Sequence, residues 1–135
     1  MPRFLIIPFG WGGVCAAILL LSGCEGADGR RPVSGAVMCG GKPVVYGTIS
    51  FDPDTTKGVD GPQGSAEIRN GRYKTAPEWG ARSGAHIVNI VGWDAAPEAG
   101  MLGAPICRHT TQADVSAAGG VLDFDVPPAK VPPRK

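Results

Sequence analysis

The chain has 135 residues, with 13 Lys and Arg against 12 Asp and Glu, and a formal net charge of +1. This length allows one domain with its own core, while the patterned apolar runs exclude a wholly disordered chain and the balanced charge excludes the basic footprint of a nucleic-acid-binding protein. With 21 Gly, 13 Pro and only 19% charged residues, the composition favours a turn-rich all-β chain.

The N-terminal segment is typical of an export signal. Phe4 to Leu21 is almost uniformly apolar and follows a single cation, Arg3. Leu21, Ser22 and Gly23 then lead into Cys24, so that small residues precede the cut, as the processing machinery requires. We therefore expect residues 1–23 to be a cleaved signal peptide. The alternatives are a signal peptide without lipidation, an uncleaved spanning helix and a buried helix, although proline and glycine weaken the first half of any helix here.

The motif Leu21-Ser22-Gly23-Cys24 resembles the lipobox of bacterial lipoproteins. In that family the cysteine, here Cys24, becomes the first mature residue and carries a diacylglycerol. Two acyl chains make a stable anchor, whereas one gives only marginal membrane affinity. The resemblance implies an exported protein that is anchored by its lipid to a membrane of the cell envelope, on the periplasmic face or the cell surface. Residues 24–32 would then be a flexible tether.

The rest of the chain alternates between short apolar runs and turn signals, which predicts strands. The expected runs are Val33–Cys39, Val44–Phe51, Ser65–Arg69, Arg72–Thr75, His86–Trp93 and Val121–Val126. Asn70-Gly71 is the strongest turn signal, because both positions of a two-residue hairpin turn need positive φ. Residues 52–64 and 94–111 are expected to be loops outside the sheet. About six strands with no helical period predict an antiparallel β-sandwich over residues 33–127, followed by a disordered tail at 128–135.

The first half of this pattern also resembles a known family. The segments Val33-x-Gly35, Gly41-Lys42-Pro43-Val44, the Asn70-Gly71 hairpin and Gly84–Ile90 resemble carboxypeptidase regulatory-like, or transthyretin-like, domains. Together with the lipobox, the chain resembles small surface lipoproteins of planctomycete-type bacteria. The resemblance implies a prealbumin-like or Ig-like sandwich with no catalytic residues to carry over.

Two cysteines remain once Cys15 leaves with the leader and Cys24 takes the lipid. Cys39 and Cys107 would pair in an oxidising compartment, and the bridge would stabilise the domain by about 4 kcal/mol. Free thiols are one alternative. The other is a zinc site with the two histidines, which the spacing disfavours because no pair of ligands comes from one turn. We expect no metal and no cofactor.

Four aromatic side chains could form a platform for a sugar: Trp79 and Trp93, with Tyr46 and Tyr73. Such residues also serve as core or strand-edge packing. Three carboxylates, Asp52, Asp54 and Asp60, lie in one loop, but their spacing is not that of an EF-hand and is typical of a solvated turn.

No serine lies in a Gly-x-Ser-x-Gly context and neither histidine has an acid partner nearby in sequence, so we expect no catalytic residue. The leading hypothesis is a lipid-anchored, non-catalytic structural or interaction module with an unknown protein or glycan partner. The second is a carbohydrate-binding module that uses Trp79 or Trp93. The third is a metal-binding or enzymatic domain.

Overall fold

The computed structural model describes residues 29–98 and 100–130. Leu21 to Cys24, and with them the expected signal peptide and lipid anchor, lie outside the described residues, as do residues 131–135 of the expected tail. Within the described ranges, no helix has the length and apolar character needed to cross a bilayer.

The described chain is all-β, as predicted, and forms a curled, sandwich-like sheet. Its nine strands are β1 Val33–Cys39, β2 Lys42–Pro43, β3 Tyr46–Pro53, β4 Gly64–Arg69, β5 Arg72–Lys74, β6 Gly84–Trp93, β7 Cys107–Val115, β8 Gly120–Val121 and β9 Phe124–Val126. Two 3₁₀ turns cover Thr55–Lys57 and Pro77–Trp79.

The strands follow the order β2-β1-β5-β4-β3-β6-β7 across the sheet, with antiparallel pairing throughout this series. β8 and β9 lie off this series; each pairs with β1 and runs parallel to it. The sheet curls so that its two ends approach each other, since the amide of Ala129 donates to the carbonyl of Ile106 at 2.8 Å, just before β7 begins.

The core lies inside this curl and is built from the alternate, inward-facing residues of the strands. Its fully buried side chains include Val33, Val37, Ile49, Phe51, Ile68, Val88, Ile90 and Val126. Tyr73 lies between Phe51 and Phe124, with ring centroids 6.0 and 6.4 Å away, and so joins the hairpin to the last strand.

The hairpin predicted at Asn70-Gly71 is confirmed. Both residues have positive φ, 50° and 76°, and Arg69 lies directly opposite Arg72. Ile68 faces the core, whereas Arg69 and Arg72 are exposed.

The strand expected at Val44–Phe51 corresponds to β3 and begins two residues later than expected. Val44 and Val45 are not in the ladder, because their carbonyls accept the amides of Gly71 and Asn70 in the hairpin turn. β3 therefore runs from Tyr46 to Pro53.

The expectation that residues 94–111 form an excursion from the sheet is wrong for the last five residues of that segment, 107–111. β7 begins at Cys107 and pairs with β6 from Gly92↔Cys107 to Gly84↔Val115. Its inward side carries His109, Thr111 and Ala113 rather than large apolar residues. The alternation that marks a half-buried strand is therefore missing from the sequence.

The last predicted run is interrupted but keeps its alternation. Leu122 and Phe124 are half-buried and Val126 is buried, as expected. Leu122 and Asp123 form a link between β8 and β9, where the Leu122 amide donates to the Ser34 carbonyl at 2.8 Å.

The described part of the chain forms an isolated main-chain bridge to the domain at Arg31, outside the named strands. The amide and carbonyl of Arg31 pair with those of Ala81, at 2.7 and 3.1 Å. Among the described residues, Arg31 is the first with a main-chain hydrogen bond to the domain, and residues 25–30 separate it from Cys24 in the sequence.

Candidate functional site

An open groove runs over the outer face of the sheet, across β1, β5, β4 and β3. Its volume is about 920 Å³, which is within the range of ligand-binding sites. The outward-facing side chains of these strands line it, because successive residues of a strand point to opposite faces. Its floor is rich in hydroxyl groups, from Ser34, Thr48, Ser50 and Ser65.

Three cations and one carboxylate lie in this groove: Arg69, Arg72, Lys74 and Glu67. Glu67 is paired with Arg69, whose Nη2 lies 2.9 Å from a carboxylate oxygen. Among residues 29–98 and 100–130, the side chains of Arg72 and Lys74 have no ion pair or hydrogen bond. The groove therefore presents two uncompensated positive charges to solvent.

The hairpin places two of these cations against each other. Arg69 and Arg72 are directly opposite across β4 and β5, and like charges in this arrangement destabilise a sheet. Arg69 forms an ion pair with Glu67 and lies over the ring of Tyr46, whose centroid is 5.5 Å from the guanidinium carbon. Arg72 has no such contact within the described chain, so an anionic ligand would relieve the repulsion.

Trp79 lies at the opposite end of the groove from this arginine pair. It ends the second 3₁₀ turn and keeps 53% of its surface exposed. The turn packs over the start of β4, where a Cβ on Gly64 would lie 3.1 Å from the Trp79 carbonyl oxygen. β4 extends from Gly64 to Arg69, so that about 17 Å of strand separates the two ends of the groove.

The other predicted sugar-contacting residue, Trp93, lies outside the groove. It packs on Tyr46, with ring centroids 6.0 Å apart, and its Nε1 donates to the carbonyl of Gly103 at 2.8 Å. Tyr73 is in the core, and its hydroxyl donates to the carbonyl of Leu122 at 2.7 Å. Burial raises the pKa of Tyr73 well above its usual range. The four aromatic residues thus do not form one platform.

Cys39 and Cys107 lie side by side as free thiols. They are 6% and 0% exposed, at the end of β1 and the start of β7. Burial, together with the neighbouring Cys39 thiol, raises the pKa of Cys107 to about 12. The curl of the sheet has brought together two residues that are far apart in sequence.

The two histidines, by contrast, are far apart. His86 lies opposite Ala113 and His109 opposite Ile90, which separates them by four residue steps, or about 13 Å, along the β6–β7 ladder. Nδ1 of His86 contacts the Gly84 carbonyl at 2.9 Å, and its Nε2 is buried with no partner in the described chain. In the described ranges, no three His, Cys, Asp or Glu side chains are grouped to hold a metal ion.

The three loop carboxylates have separate structural contacts. Asp54 accepts hydrogen bonds from the amide and hydroxyl of Thr56, at 3.1 and 2.6 Å, and thereby caps the first 3₁₀ turn. The hydrogen bond from the Thr56 side chain is the main reason that the pKa of Asp54 is lowered. Asp52 accepts from Asn89 at 2.8 Å, and Asp60 lies 3.7 Å from Arg82.

The cations of the groove were missed in the sequence, although a signal for them was present. A two-residue turn at Asn70-Gly71 places Arg69 directly opposite Arg72. The period of two then puts Lys74 on the same face as Arg72. The contribution of β1 and the Trp79 turn could not be read in this way, because it depends on the order of strands in the sheet.

Comparison with known proteins found no match. No protein-family model matches the chain, and neither a curated protein nor a solved structure does.

Proposed function

We propose that this chain is an exported, lipid-anchored protein whose β-domain is a non-catalytic binding module. The observation that carries the proposal is the groove across β1, β5, β4 and β3, in which Arg72 and Lys74 have no partner among the residues that the structure describes. Two arginines that lie opposite each other on neighbouring strands repel, and this repulsion lowers the stability of the sheet. Such an arrangement is expected where a ligand supplies the missing negative charge.

The anchor would hold this groove close to a membrane. Cys24 would carry the lipid, and Arg31 is the first of the described residues with a main-chain hydrogen bond to the domain. The six residues between them span at most about 20 Å when fully extended. The domain would therefore bind a partner that lies at, or reaches down to, the membrane surface.

The charges of the groove support the binding of an anion. Among the described residues that line it, the one carboxylate, Glu67, is engaged by Arg69, and the other charged side chains are Arg72 and Lys74. A carboxylate held in an ion pair, beside two cations that face solvent, forms a surface suited to attract and hold an anion.

The proposal includes a disulfide between Cys39 and Cys107. The two thiols are neighbours that join β1 to β7, and an exported location is oxidising. Because the raised pKa leaves little thiolate in the folded protein, we expect the bond to form before the sheet closes over the pair.

The anchor is tested by the intact mass of the membrane-extracted protein. We expect an N-terminus at Cys24 with acyl mass. Cys24→Ser should abolish lipidation, whereas Cys15→Ser, a cysteine change inside the leader, should leave the mature mass unchanged. A chain that still begins at Met1, without lipid, would contradict the proposal.

The binding role is tested with the full chain reconstituted in neutral phosphatidylcholine vesicles and applied to an array of glycans and peptides. Arg72→Gln with Lys74→Gln should remove the principal ligands, whereas Lys42→Gln, an exposed lysine of β2 outside the groove, should not. An array without any ligand that depends on the groove would argue against a binding module.

A further inference from the structure

We infer that the groove binds an acidic polysaccharide, with uronate-type carboxylates on its cations and a sugar ring on Trp79. This inference rests on the proposed binding function and names the class of its ligand. It is carried by the joint presence, on one face, of an exposed indole with cations and hydroxyl groups whose side chains have no partner in the described part of the chain.

The charges determine the sign of the ligand. Arg72 and Lys74 face the groove two residues apart on β5, which sets them about 6.7 Å from each other along the strand. No side chain of the described part pairs with either of them. A ligand with repeated negative charges along its length would contact both, and a carboxylate at Arg72 would also reduce its repulsion with Arg69.

The floor and the end of the groove point to a sugar. The hydroxyl groups of Ser34, Thr48, Ser50 and Ser65 make no side-chain hydrogen bond within residues 29–98 and 100–130, so they are free to donate to and accept from sugar hydroxyls. Trp79 is 53% exposed at the far end. An indole in this position provides a flat apolar surface with low conformational entropy.

An acidic peptide is the other class with the right charge, and the sheet disfavours it. An extended peptide gains most of its affinity by adding a strand to a free edge. The groove lies on a face rather than an edge, since β5, β4 and β3 are each paired on both sides. The main-chain groups of a peptide would find no ladder partners there.

The experiment uses the full chain in neutral detergent micelles, with oligogalacturonate as the probe and its methyl-esterified form as the matched neutral probe. Calorimetry should show binding to the acid form, weaker binding as salt is raised, and at least a tenfold loss on esterification. Arg72→Gln with Lys74→Gln should lower affinity for the acid form at least about tenfold. Trp79→Ala should weaken it as well, and Lys42→Gln should leave it unchanged.

Two checks separate binding from folding. The groove variants should have the circular dichroism spectrum of the wild type, and Arg72→Gln alone should melt no lower than the wild type, because it removes a like-charge pair. Equal affinity for the acid and esterified probes would overturn the inference. Groove-dependent binding of polyglutamate, without binding of oligogalacturonate, would also overturn it while leaving the binding module in place. If no array ligand or probe depends on the groove, both the inference and the proposed function fail.

Discussion

Replacing Gly35 with Ala should detach the segment that links β8 and β9 from β1. A Cβ at this position would lie 2.0 Å from the carbonyl oxygen of Leu122 and 2.7 Å from its carbonyl carbon. These atoms belong to the main chain, so they cannot move aside as the end of a flexible side chain could. The Leu122 carbonyl also accepts the hydroxyl of Tyr73, which means that displacing it breaks a second contact.

These contacts determine how far Gly35→Ala should lower the free energy of unfolding. Overpacking a well-packed site costs about 1–3 kcal/mol, and the upper end applies because the clash is with main chain. Two hydrogen bonds are at risk, from the Tyr73 hydroxyl and from the Leu122 amide to the Ser34 carbonyl, each with a net value of about 1 kcal/mol. We expect Gly35→Ala to lower the free energy of unfolding by about 3–5 kcal/mol.

Urea denaturation followed by circular dichroism measures this change. With a slope of roughly 2 kcal/mol per molar, the midpoint should fall by about 2 M. Gly103→Ala is the matched control, because a Cβ there meets nothing within 4 Å, and it should stay within about 0.5 kcal/mol of the wild type. Equal midpoints for the wild type and Gly35→Ala would refute the close approach of the last strands to β1.

Three other perturbations test separate parts of the structure. Tyr73→Phe should lower the free energy of unfolding by about 1 kcal/mol at neutral pH, because it removes one hydrogen bond. Since the folded pKa of Tyr73 is raised, urea midpoints of the wild type should fall as the pH rises above about 10, and those of the variant should not show this loss. Asp54 has a lowered pKa through its bond from Thr56, so it contributes stability above its unfolded pKa of about 3.8 that disappears as the pH falls through the folded value. Asp54→Asn should therefore flatten the acid limb of urea midpoints measured from pH 5 to pH 2, and parallel profiles would contradict this. Cys39 and Cys107 should resist alkylation in the denatured, membrane-extracted chain until reductant is added, and reduction should cost about 4 kcal/mol; alkylation without reductant would contradict the bridge.

The sequence predicted the parts of the fold that local chemistry controls. Asn70-Gly71 specified a hairpin because few other residues accept positive φ at both positions, and the alternation in the last run correctly placed Phe124 and Val126 inward. The sequence did not predict β7, because its inner side carries His109 and Thr111. The alternation of apolar and polar residues that marks a half-buried strand is therefore missing there. The parallel pairing of the last strands with β1 is a long-range feature that no local pattern contains.

The same limit applies to the candidate site. Arg69 and Arg72 could be placed opposite each other from the turn alone, but Trp79 joins their groove only because its turn packs on the start of β4. Counting cysteines left Cys39 and Cys107 as the candidates for a bridge, which stays a prediction, whereas the burial of both thiols and the raised pKa of Cys107 depend on the closure of the sheet. The sequence showed which residue types were present, but predicting which of them lie together in the fold would have required the strand order.

The parallel pairing of β1 with β8 and β9 also determines how the domain responds to mechanical load. The described chain enters at one end of β1, near Arg31, and leaves beyond Val126 at the other end. Tension applied between the two ends of the domain would pull these strands lengthwise in opposite directions. Their hydrogen bonds would then bear the force together in shear instead of opening one after another, and forced extension is governed by the rate of that rupture. A domain that is held by one end and pulled from the other would be built to resist extension along this line.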